Sequence, residues 1–255
     1  MEAILTKHVS KSFGNVKAVS GLNLAVPAGE IRGLLGPNGS GKSTAMKMIM
    51  GILPPDQGEI FVNDINVRAQ PVESRRYVGY VPEIPQIYDY LTAAEYLDFI
   101  GEAYGIPSDV RKKRVEEFLG AFQMADRVNE VMSGFSQGMR QKIAITAALL
   151  HRPKVLVLDE ALNGLDPRSA RIVKEILHRL ARDEQVAVLF STHILEIAEG
   201  VCQRVTIMSK GAVLAEGSVQ ELRSMTGMQG SSLEDVFLKL TGSEDTARIA
   251  EALRY

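Results

Sequence analysis

Gly36-Pro37-Asn38-Gly39-Ser40-Gly41-Lys42-Ser43-Thr44 is the stretch on which the reading of this chain turns. It fits G-x-x-x-x-G-K-[ST], the loop that cradles nucleotide phosphates. Ahead of it, Ile31-Arg32-Gly33-Leu34-Leu35 is short and mostly apolar, as a buried strand is; behind it, Ala45-Met46-Lys47-Met48-Ile49-Met50 opens a helix. The glycines let backbone N–H groups converge on phosphate oxygens, and the helix N-terminus adds positive potential there. Lys42 is placed to reach the β- and γ-phosphates, and the Ser43 hydroxyl to ligate Mg²⁺. A Gly-rich turn matching by accident is the competing explanation, and the strand and helix on either side weigh against it. The chain is read as binding a nucleoside triphosphate.

Bulk properties narrow what surrounds that loop. The 255 residues suit one large α/β domain or a domain with a subdomain. A formal net charge of −2 offers no footprint for nucleic acid and no polybasic membrane tail. The single cysteine, Cys202, excludes an internal disulfide, fits a reducing compartment and reads as a small, partly buried hydrophobe. No long apolar core marks the first residues as a signal peptide, and no apolar run reaches the roughly 18 residues of a spanning helix. The expectation is a soluble, cytoplasmic chain whose membrane role, if any, comes through a partner.

Upstream of the loop, Ala3 to Val9 and Val19 to Val26 alternate as half-buried strands, with Lys11-Ser12-Phe13-Gly14 between them. An aromatic there either stacks on a nucleotide base or closes a strand in the core; position alone leaves both open. Downstream, strands are expected at Glu59 to Val62, turning at Asn63-Asp64, and within Arg75 to Val81. From about residue 86 to 150 the pattern is helical. Thr92 to Glu95 is a capping box, Val115, Phe118, Leu119 and Phe122 share one face, and Arg111 to Arg114 lie on the other. Ser133 to Lys142 then leads polar and small residues into a helix, either a second anion site or simply an N-capped helix.

Val155-Leu156-Val157-Leu158-Asp159-Glu160 is an apolar run ending in two carboxylates, at the strand edge where open α/β sheets bind ligands. Asp159 suits a Mg²⁺-organising role and Glu160 that of base for an attacking water; a solvated strand end is the bland alternative. Asp166 and Pro167 read as the N-cap and first residue of a helix to Arg182. Val186 to Phe190 is a further buried strand, followed by Ser191-Thr192-His193, where His193 is either a γ-phosphate contact or structural. Val205 to Met208 and Ala212 to Ala215 make a hairpin around Ser209-Lys210-Gly211. Ser231 to Glu234 reads as a capping box for a helix with Leu233, Val236, Phe237 and Leu240 on one face, docked on the core in preference to a partner.

Taken together, these stretches resemble an ATP-binding cassette (ABC) ATPase subunit, over residues 3–220. The resemblance implies a P-loop NTPase (RecA-like) α/β core with an antiparallel β subdomain and an inserted all-helical subdomain. The divisions expected are 1–85, the β subdomain and first part of the core; 86–150, the helical insert; 151–220, the rest of the core; and 221–255, a C-terminal helical extension. It also implies Phe13 as the base-stacking aromatic and Gly36, Pro37, Asn38, Gly39, Ser40, Gly41, Lys42, Ser43 and Thr44 as the Walker A loop. Asp159 becomes the Walker B aspartate, Glu160 the catalytic glutamate, Leu165-Asp166 the D-loop and His193 the switch histidine. Ser136 and Gly138 match the signature Leu-Ser-Gly-Gly-Gln, whereas Gln137 and Met139 depart from it. Glu83 stands where the family has its Q-loop glutamine, as a third Mg²⁺ candidate, with Gln86 the second choice.

Phe135 to Gln141, Glu83 and the Leu233 to Leu240 ending are similar to the ABC-2 type exporter ATPases. The implied partners are a second cassette, itself or a paralogue, closing head to tail over ATP and Mg²⁺, and a separate polytopic membrane protein reached near Glu83. Nucleic acid is not expected as a partner. The chain would then sit on the inner face of the membrane. The rival is a soluble ABC ATPase acting on ribosomes, DNA or Fe–S assembly.

Overall fold

A long hairpin opens the computed structural model, which describes residues 1–242: β1 (Glu2–Phe13) runs antiparallel to β2 (Val16–Pro27). Next, β3 (Ile31–Leu35) leads through the phosphate loop into α1 (Lys42–Ile49). A second hairpin, β4 (Gln57–Val62) and β5 (Ile65–Asn66), is followed by α2 (Pro71–Arg75) and β6 (Val78–Val81). Three helices come next: α3 (Ala93–Ala103), α4 (Ser108–Ala121) and α5 (Gln137–Leu149). The chain then alternates through β7 (Val155–Asp159), α6 (Pro167–Glu184), β8 (Ala187–Ser191) and α7 (Leu195–Val201). It closes with the hairpin β9 (Arg204–Ser209) and β10 (Ala212–Gly217), then α8 (Val219–Thr226) and α9 (Leu233–Thr241). Residues 243–255, the end of the expected extension, lie outside the described residues.

Two sheets result. One is antiparallel, in the order β2-β1-β4-β5; the other runs β10-β9-β3-β8-β7-β6, parallel except for β10. Every residue of β3, β7 and β8 is buried, which is why these strands read as apolar runs without alternation. Their side chains still alternate between faces. Leu156, Leu158, Val188 and Phe190 join the core under the helices, while Val155, Val157, Ala187 and Leu189 join the core shared with the antiparallel sheet. Helix α1 lies in that second core, its Met46, Met48 and Ile49 packed with Ile4 and Leu24. Because the central strands are parallel, their C-terminal ends share one edge, with Asp159 in register with Ser191. That edge holds the chemistry.

Several local expectations shift. β1 does not stop at Val9: Lys11, Ser12 and Phe13 continue its pairing, to Val19, Lys17 and Val16, so the turn shrinks to Gly14-Asn15. Phe13 is 51% exposed, which removes the core alternative for its ring. The strand expected within Arg75 to Val81 is β6, and ahead of it Pro71 at the first helical turn starts a short helix that the apolar pattern conceals. The cap of α9 is Ser232 with Asp235, one residue later than expected, because the Ser231 carbonyl is taken by the Arg223 guanidinium at 2.6 Å. The face expected to dock does so, with Leu233 and Val236 fully buried. Helix α8, capped by Ser218 and Glu221, begins two residues ahead of the expected helical extension. Helix α5 leans on the core sheet: a Cβ on Gly79 of β6 would run into the Ala148 carbonyl.

Arg32 joins the two sheets. It is 2% exposed, bonds Glu30 at 2.6 Å and Glu216 of β10 at 2.5 Å, and donates to the Ala25 carbonyl of β2 at 3.2 Å. With Thr206 Oγ1 at 3.2 Å, its guanidinium satisfies four acceptors in fixed geometry, whereas removing it strands two carboxylates. Arg32→Ala is expected to cost about 3 kcal/mol, read as a fall in thermal midpoint of roughly 5–10 °C.

Candidate active site

The phosphate loop owes its shape to two glycines that cannot be replaced without backbone movement. A Cβ at Gly36 would overlap the Met208 carbonyl, and Gly41, at φ +104 in front of α1, passes so close to the Ala18 carbonyl that no side chain fits. Lys42 follows as the first residue of α1, 7% exposed, and its ammonium donates to the Gly36 carbonyl at 2.7 Å and the Pro37 carbonyl at 3.3 Å. Burial pulls its pKa down, while the charges of Glu160, Asp159 and Glu83 oppose that shift. One cation thus faces three carboxylates drawn from β6–β7 and the segments after them.

The two acids diverge at the tip of β7. Asp159 is 4% exposed and accepts the Ser191 hydroxyl at 2.6 Å. Glu160 takes a left-handed backbone, φ +53, uncommon for a residue with a side chain. Its N–H donates to Ser191 Oγ at 3.0 Å, and its carboxylate meets His193 Nδ1 at 2.9 Å, the His193 N–H at 3.2 Å and Asn163 Nδ2 at 3.1 Å. His193 therefore touches the acid expected to act as base, while its ring stays largely open to solvent.

Two clefts flank this arrangement. One, of about 620 Å³, is lined by Ser43, Glu83, Gln86 and Asp159 together with Tyr80 and helical-insert residues such as Tyr96 and Tyr104. Three hard oxygen donors, Ser43, Asp159 and Glu83, thus share one wall, the donor class Mg²⁺ takes. Among the described residues no cluster of three His, Cys, Asp or Glu side chains is placed to hold a metal alone. That donor set fits a cation shared with phosphates, since Mg²⁺ is usually held by one or two carboxylates plus substrate oxygens. The other cleft, about 220 Å³, is bounded by Gly36, Pro37, Asn38, Thr192, His193, Leu195 and, from α9, Phe237.

Ser136 and Gly138 line neither cleft. Ser136 is exposed and caps α5, accepting the Met139 N–H at 3.3 Å. Gly138 permits close approach to the turn after β7, for a Cβ there would stand 2.8 Å from the Gly164 carbonyl. The departing Gln137 covers Gly164, Gln141 donates to the Ala161 carbonyl at 2.8 Å, and Lys142 pairs with Asp166 at 3.1 Å. Asp166 caps α6 as expected, and the Ser169 donors, with Lys142, hold its carboxyl well below the usual range. Ser191, Asn163, Gln141 and Phe237 have no site role in the sequence reading. Ser191 alone carried a signal there, a polar residue ending an otherwise apolar strand.

Comparison with known proteins agrees with this geometry. The family model described as ABC transporter matches residues 19–163, more than half of the chain. This chain belongs to the ABC transporter ATP-binding family. The ABC transporter ATP-binding protein NatA of Bacillus subtilis is 39% identical over 208 residues, 81% of this chain and 84% of the relative. The linearmycin resistance ATP-binding protein LnrL of Bacillus subtilis is 34% identical over 97% of this chain and 78% of its own length. A dimeric ATP-binding cassette, MJ0796, solved in a post-hydrolysis state with ADP and Pi, superposes with a TM-score of 0.78 at 25% identity, over 84% of this chain and 98% of its own. The ABC subunit is a P-loop ATPase that binds ATP and serves a transporter, and among its described residues no helix is long and apolar enough to cross a membrane.

In the wall of the larger cleft, His151 stacks on Tyr104, centroids 3.8 Å apart, and burial pushes its pKa down to about 4. The unfolded chain protonates this ring near pH 6.5 while the folded ATPase refuses the proton, so stability is full above that pH and falls as pH drops toward 4. Urea unfolding should show roughly 1–2 kcal/mol lost between pH 7 and pH 4.5, allowing for partial solvent contact, and His151→Phe should remove that share.

Proposed function

We propose that this ATPase drives export through a separate polytopic membrane protein, closing head to tail with a second cassette over two Mg²⁺·ATP. The observation that carries the reading is the grouping of Lys42, Asp159, Glu160 and His193 at one strand edge, beside a cleft walled by Ser43 and Glu83. When bound between Ser43, Asp159 and Glu83, Mg²⁺ would supply charge neutralisation on the phosphate oxygens. Lys42 exchanges its two loop carbonyls for the β- and γ-phosphates. Glu160 takes the proton of the attacking water, held in place by His193 and Asn163, while His193 is also within reach of the γ-phosphate side through the smaller cleft. Phe13, exposed with the Lys11 ammonium 5.8 Å from its ring centre, offers a face to the base.

Partners follow from exposure. Ser136 and Gly138 line neither cleft beside their own chain's phosphate loop, so they serve a second subunit's nucleotide; a cassette similar to this chain has been solved as a dimer. Beside Glu83, the helical insert displays Ile84, Tyr88, Tyr90 and Phe99, of which Tyr90 is 92% exposed. An apolar aromatic patch flanking a groove is the surface of a protein contact. The membrane protein docks there, so the chain is held at the cytoplasmic face. Export, as against import, is supported by the similarity to the linearmycin resistance protein and by the Phe135 to Gln141 and Leu233 to Leu240 segments.

Lys42→Ala is expected to abolish nucleotide binding or turnover. Glu160→Gln should bind ATP normally, lose at least about 100-fold in turnover and accumulate as a dimer on size exclusion with ATP. Wild-type hydrolysis by Glu160→Gln would remove the base from Glu160. For the partner, mild-detergent isolation of the subunit from its own membranes should bring down a chain of several spanning helices; recovery only with ribosomal, nucleic-acid or Fe–S proteins would overturn the transporter partner.

A further inference from the structure

Ser191 ends β8 opposite the tip of β7, fully buried, and its hydroxyl bonds both Asp159 and the Glu160 N–H. The hydrogen bonds run in one direction. The Glu160 N–H donates to Ser191 Oγ at 3.0 Å, and the Ser191 hydroxyl donates to Asp159 Oδ1 at 2.6 Å. The Glu160 N–H also reaches the Ser191 carbonyl at 3.2 Å, so the hydroxyl and the carbonyl of Ser191 share one donor. Since Oγ accepts from one neighbour, its proton is committed to the other. A buried polar group with both functions satisfied, in a site of low dielectric, fixes what it touches.

From this relay we infer that Ser191 is a positioning residue for ATP hydrolysis, setting both the metal-facing oxygen of Asp159 and the left-handed turn that aims Glu160. The inference rests on the roles proposed above for those two acids. Occupying Asp159 Oδ1 leaves Oδ2 as the oxygen free to face the cleft shared with Ser43 and Glu83. Holding the Glu160 N–H stabilises φ +53, and with it the approach of that carboxylate to His193 and Asn163. Without the hydroxyl, Asp159 is free to rotate and the Glu160 turn keeps only a carbonyl partner. Hydrogen-bond partners of metal-binding carboxylates typically account for 10–100-fold in metal affinity or activity.

The test compares Ser191→Thr, which keeps a hydroxyl, with Ser191→Val, which has the same shape without one, and with Ser191→Ala, all in the full chain. Steady-state ATP hydrolysis would be measured beside the Mg²⁺ dependence of fluorescent ATP-analogue binding and the thermal midpoint. Ser191→Val and Ser191→Ala are expected to lose about 10–100-fold in kcat with KM for ATP within about twofold, and to need several-fold more Mg²⁺ for half-maximal binding. Ser191→Thr should stay within about threefold of wild type in both. If Val and Ala match Thr in kcat and Mg²⁺ dependence, or if folded Thr is as impaired as Val, the assignment falls. Should the two larger residues prevent folding, Ser191→Ala decides alone, wild-type values overturning the inference. Glu160→Gln assayed in parallel separates the two failures: an active Glu160→Gln sinks the role of the base, whereas an inactive one beside a wild-type Ser191→Ala sinks only that of Ser191.

Discussion

Backbone meets backbone around the phosphate loop from two directions, and much of the molecule is arranged to allow it. The Ala18 carbonyl of β2 presses on Gly41, the Met208 carbonyl of β9 presses on Gly36, and the Gly211 N–H at the tip of the β9–β10 hairpin donates to the Ser40 carbonyl at 3.0 Å. The Gly211 carbonyl in turn accepts the Ser20 N–H at 2.8 Å, so the hairpin tip staples the antiparallel sheet to the loop. A phosphate cradle must hold its amides still to stabilise charge without reorganising, and here both sheets supply the stiffness. Arg32, bonded to β2 and β10, repeats the connection at the other end of β3.

How much of this was legible in sequence follows from where each constraint acts. The phosphate loop, the Asp159-Glu160 tip and the Thr92–Glu95 cap are local, set by residues within a few positions, and they lie where their patterns put them. The extended β1 was misjudged because its last three residues alternate weakly and are held by pairing to β2, a partner no local window contains. The contacts of Ser191 and Gln141 escape a local window for the same reason: their partners Asp159 and Ala161 are 32 and 20 residues away. Their chemistry exists only once parallel strands come into register and α5 has packed.

Electrostatics explains why the edge is poised for hydrolysis and not for mere nucleotide storage. Lys42 alone, buried and cationic, would bind phosphates with any counter-charge. Asp159, Glu160 and Glu83 bring three negative charges to bear on it, more than binding an already anionic ligand would favour. Such a surplus is tolerable only if cations and a transferable proton enter with the substrate. The two acids differ in their surroundings: Asp159 is buried and hydrogen-bonded by Ser191, while Glu160, on a left-handed residue, is bonded to the exposed His193.

The departures in the signature acquire a structural meaning through the same edge. Where the family carries a glycine, Gln137 lays its side chain over Gly164, and Gly138 still allows the turn after β7 to close against α5. That turn carries Asn163, which bonds the Glu160 carboxylate at 3.1 Å, and Asp166, which pairs with Lys142 of α5. The start of α5 and the Glu160 carboxylate are therefore joined through the turn that follows β7. Within one subunit, then, the Gln137 side chain, Gly164 and the Asn163 partner of Glu160 form one packed unit, which a glycine at 137 would leave without its cover.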